Sequence, residues 1–149
     1  MQAKIERPVP AVGVVCWRDD EVLLIRRGRE PRKGQWSIPG GKVERFEPLK
    51  DTALRELREE TGVEARLGPL IAVYEIIEPG SEAHPEGFHL VLIDYVAEWT
   101  AGEPVAADDA DEARFVEYDE ALSLLIEDDL KDVVTRSRGL RGQNPGADL

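Results

Sequence analysis

The sequence predicts a layered domain of the α/β (α+β) class. Three observations carry that expectation: valine-rich apolar runs open the chain, one sharply punctuated helical segment follows, and strand-like runs then give way to helical ones. The order strands, helix, strands, helix is that of a mixed sheet with helices layered on it.

Taken in chain order, AVGVVCW (11–17) reads as a buried strand and VLLIRR (22–27) as the strand returning from the turn RDDE. Residues 28–41, rich in glycine and proline, read as a loop holding a short strand at 36–38. Pro48 suits a first helical turn and Gly62 a C-terminal cap, so a helix is expected from Pro48 to Thr61. Ala53, Leu54 and Leu57 form its expected core stripe, beside its glutamates rather than among them.

ARLGPLIAVYEIIE (65–78) reads as one or two strands, 79–87 as a hairpin loop, and FHLVLIDYVAEWT (88–100) as a long strand. An acidic loop (101–113) leads to a short strand at 114–118. Asp119 is the expected cap of a helix over 120–126, with a further helical stretch near 128–137. The domain is therefore expected over 1–137, with 138–149 a mobile tail that has little to bury.

Composition narrows the function. The chain has 149 residues, a net charge of −12, and 19 Lys and Arg against 31 Asp and Glu, without a basic patch. That balance argues against a nucleic-acid polymer as partner. A small phosphorylated substrate stays compatible, because a bound divalent ion reverses the local sign. The single Cys16 sits in an apolar run and reads as a buried, inert thiol. No apolar run approaches a membrane span and the N-terminus lacks a signal-peptide core, so a cytoplasmic protein is expected.

Glu56, Glu59 and Glu60 crowd five positions of the expected helix. At roughly 100° per residue they fall within about 100° of one another, where like charges repel by a few tenths of a kcal/mol per pair. A solvated face is the ordinary explanation for charged helix residues. Three co-facial carboxylates also suit a hard divalent ion such as Mg²⁺ or Mn²⁺.

The stretch GGKVERFEPLKDTALRELREETGV resembles the Nudix box, G-x5-E-x7-R-E-U-x-E-E-x-G-U with U aliphatic. Gly41, Glu47, Arg55, Glu56, Leu57, Glu59, Glu60, Gly62 and Val63 match all nine constrained positions over 23 residues. The flanking WSIPGG and LLIRRG are similar to the family as well, and the likeness extends loosely over 8–137. Phe46 departs from the glycine that many members carry there, at an unconstrained position.

The resemblance implies a mixed sheet sandwiched between helices and a metal-dependent hydrolase of nucleoside diphosphates linked to a further moiety. It implies catalytic and metal-binding roles for Glu56, Glu59 and Glu60, a carbonyl ligand at Gly40, and a structural Glu47–Arg55 ion pair. In some members a distant loop adds an acid. Asp109 is the first candidate and Asp108 the second, against a plain solvated loop. Arg27 reads either as a substrate-phosphate donor or as an exposed strand-end arginine. His89 is expected to pack or stand at an edge, and His84 completes the histidines. Trp36, Phe88 and Trp99 read as packing residues, with stacking on a base as the alternative.

Pro79 stands 16 residues beyond Val63, as in members resembling ADP-ribose pyrophosphatases. ADP-ribose is therefore the favoured substrate. A house-cleaning (d)NTP pyrophosphohydrolase is the first alternative, and a non-catalytic nucleotide-binding module the second. Many relatives dimerise, so a homodimer is one implied assembly.

Overall fold

A computed structural model describes residues 7–82 and 85–145. Its elements are β1 (Val9–Arg18), β2 (Glu21–Arg27), β3 (Trp36–Ser37), β4 (Gly40–Lys42), α1 (Leu49–Thr61), β5 (Glu64–Glu78), β6 (Phe88–Ala101), β7 (Ala110–Glu117), α2 (Tyr118–Leu124) and α3 (Asp128–Leu140). One mixed sheet runs in the order β3-β2-β1-β6-β5, with β4 paired to β1 and β7 to β2. β1 and β6 are parallel, in register from Val9↔Leu90 to Trp17↔Glu98, and the other pairs are antiparallel.

β1 is central, which explains its unbroken apolar run: both faces are covered. Val12, Val14 and Cys16 point into the core shared with Ala53 and Leu57 of α1. Val15 and Trp17 point into the opposite core with Leu130, Val133 and Val134 of α3. Trp17 Nε1 donates to buried Ser137 Oγ at 3.0 Å, which anchors α3 to the sheet. Burial pushes the Cys16 thiol up to about 12, keeping it a neutral core residue.

Several boundaries differ from the sequence reading. Gly40–Lys42 is a strand rather than loop, because glycine backbone can lie close against β1 at Val12↔Gly41 and Gly13↔Gly40. β7 begins at Ala110, so the acidic loop is shorter than expected. α2 is capped by Glu117, whose carboxylate accepts from the N–H groups of Asp119 and Glu120 at 3.1 and 3.2 Å, not by Asp119. α3 continues through Arg138 and Gly139 to Leu140, and Arg141 pairs with Glu98 at 2.8 and 3.0 Å. These contacts order part of the segment expected to be a mobile tail.

Helix α1 follows the sequence signals. Pro48 stands at its N-cap, and Gly62 closes it with φ 72° and an N–H bonded to the Arg58 carbonyl. The core stripe is not the one expected. Ala53 and Leu57 are buried, Leu54 is only partly so, and Glu60 is buried among them at 3% exposure. Position 60 lies about 20° from position 53 around the helix, so the glutamate overlaps the core face.

Candidate active site

The end of the sheet beside α1 opens into a cleft of about 610 Å³. Gly40, Gly41, Glu56, Glu60, Arg27, Asp108 and Asp109 all line it. These four separate stretches of chain meet there because β4 pairs with β1 and the 105–109 loop is tied to the end of α1. Val105 N–H donates to Thr61 O at 2.9 Å, and Ala107 N–H to Glu60 O at 3.0 Å.

The three glutamates have three environments. Glu60 accepts from Gly40 N–H at 2.7 Å, linking the helix to β4. Burial pushes its carboxyl up to about 8, with Glu56 and Asp109 acting in the same direction and Gly40 N–H and Arg27 against it. Glu56 is partly buried and its pKa is raised, first by desolvation. Gly41 faces its carboxylate, and a Cβ at Gly41 would collide with it. Glu59 is exposed and stands outside the cleft lining. Arg55 Nη1 touches Glu56 Oε1 at 2.9 Å and Glu59 Oε2 at 3.0 Å, so one nitrogen gathers both carboxylates.

Arg55 also makes the expected clamp. Its Nε and Nη2 donate to Glu47 Oε2 and Oε1 at 2.6 and 2.9 Å, and Nη2 reaches Lys42 O at 3.2 Å. Thr52 Oγ1 donates to Glu47 at 2.7 Å. These donors, Arg55 first, hold the Glu47 carboxyl down at about 2.

Arg27 is anchored by its Nε to Pro31 O at 2.7 Å while lining the cleft. Asp109 pairs with Arg29 at 2.9 Å, and its carbonyl accepts from Gly28 N–H at 2.9 Å. Asp108 adopts φ 56° beside it. Among the described residues, no group of three or more Asp, Glu, His or Cys side chains is drawn together tightly enough to form a metal cage. The carboxylates are directed instead to Arg55, Arg29 and the Gly40 N–H.

Trp36 and Phe88 line the cleft, whereas Trp99 does not; its Nε1 donates to Gly102 O at 2.7 Å. His89 Nε2 lies 2.8 Å from Glu75 on the β5–β6 hairpin, and His84 falls outside the described residues. The sequence reading passed over Arg29, Arg32, Gln35 and Asp94, all of which line the cleft. For Asp94 a signal was present: one charge inside the apolar run LVLIDYVA.

A mixed sheet between helices, with glycine backbone and helix glutamates meeting at one cleft, is the architecture of the Nudix fold. A model of the NUDIX domain matches residues 7–136. The chain belongs to the NUDIX family and is a Nudix hydrolase, acting on pyrophosphate bonds. Enzymes of this family generally need divalent metal ions.

The ADP-ribose pyrophosphatase of Methanocaldococcus jannaschii is 32% identical over 134 residues, 89% of this chain and 76% of that protein. The CTP pyrophosphohydrolase of Escherichia coli is 34% identical over 83 residues, 55% of this chain and 62% of that one. The MutT NUDIX hydrolase of Burkholderia pseudomallei superposes with a TM-score of 0.70 at 29% identity, over 88% of this chain and 98% of its own.

Proposed function

We propose that the chain hydrolyses the pyrophosphate linkage of a nucleoside diphosphate joined to a second group, with ADP-ribose as the favoured substrate. The observation that carries this reading is the division of charge in one cleft. Glu56, Glu60, Asp108 and Asp109 supply oxygen ligands, while Arg27 and Arg29 supply phosphate donors. The likeness to the M. jannaschii ADP-ribose pyrophosphatase favours the particular substrate, as does Pro79, which follows the last residue of β5.

Glu56, Glu59, Glu60, the Gly40 carbonyl and Asp109 are the residues that would hold Mg²⁺ or Mn²⁺. Each offers the hard oxygen such ions take. Two features of the structure fit a cation there. The buried Glu60 carboxyl is crowded by Glu56 and Asp109, and the missing side chain at Gly41 leaves room beside Glu56. When bound, the ion neutralises phosphate charge and makes water a stronger nucleophile.

The protein's own part is positioning. Arg27, held by Pro31, presents a guanidinium to a bridging or terminal phosphate. Arg29, paired with Asp109 at 2.9 Å, would turn to the substrate phosphate, and Asp109 would then be available as one of the residues holding the ion. The Glu60–Gly40 bond keeps β4 against the helix end, so backbone and carboxylate ligands approach together. Water adds across the linkage, and two phosphate monoesters leave.

Incubation with a nucleotide panel in Mg²⁺ and in Mn²⁺, with products identified, tests the reading. ADP-ribose is expected to yield AMP and ribose 5-phosphate, and excess EDTA to abolish turnover. Full activity in EDTA, with metal content checked, would overturn the metal dependence. A second reading, a (d)NTP pyrophosphohydrolase, is favoured by the likeness to the E. coli CTP enzyme. Release of pyrophosphate from a (d)NTP with ADP-ribose untouched would establish it instead. The homodimer is a separate proposal, supported by edge strand β5 with its exposed Val73 and Ile77, and sedimentation at several concentrations tests it.

A further inference from the structure

Asp94 lies on β6 in register with Gly13 of β1 and lines the same cleft as Trp36, Leu92 and Leu130. It is 4% exposed, and what remains accessible faces the cleft. The Gly13 N–H lies near its carboxyl group and favours the charged form. Gly13 also makes the space: a Cβ there would overlap Asp94 Oδ1 and press on Ile38. No arginine or lysine is bonded to this carboxylate among the interactions of the described residues, which is unusual for so buried an acid. Arg32, the nearby cation of the cleft wall, is directed to Glu127 and Asp129 at 3.6 and 3.9 Å.

We propose that Asp94 determines base specificity, donating a hydrogen bond from its carboxylic acid to an acceptor atom on the nucleobase of the substrate. This rests on the hydrolase reading above and names the residue that selects the base. With Oδ1 set over Gly13, the other oxygen can carry the proton and meet a ring-nitrogen acceptor on the Watson–Crick edge, as adenine N1 and cytosine N3 present. Apolar side chains and the Trp36 ring around it suit a flat heterocycle, and Arg114 stacks on Trp36 at 5.0 Å.

Burial holds the Asp94 carboxyl up to about 7, with the Asp129 charge adding to the effect and Gly13 N–H opposing it. The charged and titratable groups that act on it are Asp129 of α3 and Tyr74 of β5; beyond them, Tyr74 OH donates to Asp132 at 2.8 Å and Arg32 of the loop before β3 pairs with Asp129 at 3.9 Å. β1 contributes the Gly13 N–H and no charge. At neutral pH Asp94 is therefore divided between donor and acceptor forms.

The test is calorimetric binding of ADP-ribose in EDTA, where turnover does not interfere and the ligand's phosphates do not titrate between pH 6 and 8. The wild type is expected to lose about tenfold in affinity from pH 6 to pH 8, the fraction of acid lost by a group titrating near 7. Asp94→Asn keeps a donor at every pH and should bind near the pH 6 wild-type affinity, with a pH dependence about tenfold shallower than wild type, because any change from Glu60 is common to both proteins. Asp94→Leu should bind about tenfold more weakly than the wild type at pH 6, with the same shallow pH dependence as Asp94→Asn. A wild-type profile no steeper than that of Asp94→Asn, Asp94→Leu binding as tightly as wild type, or no wild-type binding at pH 6 each overturns the proposal. Pyrophosphohydrolase activity in the metal-supplemented panel would leave the hydrolase reading standing in all three cases, and its absence would remove that reading separately.

Discussion

Glu60 is a carboxylate costly to the fold, standing where the proposed metal site would use it. Its burial among Ala53 and Leu57 raises its proton affinity, and its bond to Gly40 N–H only partly offsets that. Glu60→Gln keeps the shape and removes the charge. We expect weaker metal binding and a rate loss of roughly a hundredfold or more, about 3 kcal/mol in the barrier, with the fold retained. Glu44→Gln is the control: Glu44 is exposed, 3.7 Å from Arg55, and should cost far less. Near-normal turnover in Glu60→Gln would remove this residue from the site. Phe46 is a separate single-residue case. It is 90% exposed at φ 68°, the left-handed region that favours glycine. Phe46→Gly should stabilise the protein by about 0.5–1 kcal/mol in urea unfolding, by relief of strain that exceeds the entropy cost of glycine.

At the scale of elements, α1 is useful because both its ends are fixed. The loop before it is clamped through Glu47, Thr52 and Arg55, and its C-terminal turn is tied to the 105–107 segment through the Thr61 and Glu60 carbonyls. Arg55→Met keeps the apolar stem and deletes the bonds to Glu47, Glu56, Glu59 and Lys42. It should speed amide exchange across residues 43–48 and lower stability by on the order of 1–3 kcal/mol, since charged hydrogen bonds are lost from a largely covered guanidinium. Unchanged exchange in that loop would show that the clamp does not hold it. α3 plays the matching part on the other face, fixed by Trp17–Ser137 and by Arg141–Glu98 beyond its end.

The whole molecule carries a pH signature because its buried acids and its paired acids act in opposite directions. Asp94 is held at about 7 in the fold against an ordinary 3.8, so between those values the folded protein binds more protons than the unfolded chain. Its contribution to stability therefore falls as pH rises from about 4 to 7, and Glu60, raised to about 8, acts with the same sign. Glu47, lowered to about 2, contributes stability that is present above its ordinary value of 4.5 and lost as pH falls through 2. Urea unfolding in EDTA should show Asp94→Asn more stable than wild type at pH 8 by on the order of 2–4 kcal/mol, a gap that shrinks toward pH 4. An identical pH dependence for the two proteins would refute the assignment.

What the sequence by itself determined was local. Val-rich β1, the Pro48 and Gly62 boundaries of α1, and the co-facial spacing of Glu56, Glu59 and Glu60 follow from period, turn chemistry and fixed spacing, while the Glu47–Arg55 pair is implied by the Nudix-box resemblance. Tertiary structure decided what depends on neighbours far along the chain. It buried Glu60 while leaving Glu59 in solvent, made Gly40–Lys42 a strand by pairing it with β1, and set Asp94 over Gly13. It also moved the α2 cap to Glu117 and ordered the chain past Ser137 through contacts with the sheet. Spacing along a helix gives the angle between side chains but not which angle meets the core. That direction, and with it the proton affinity of each acid, comes only from the elements packed around it.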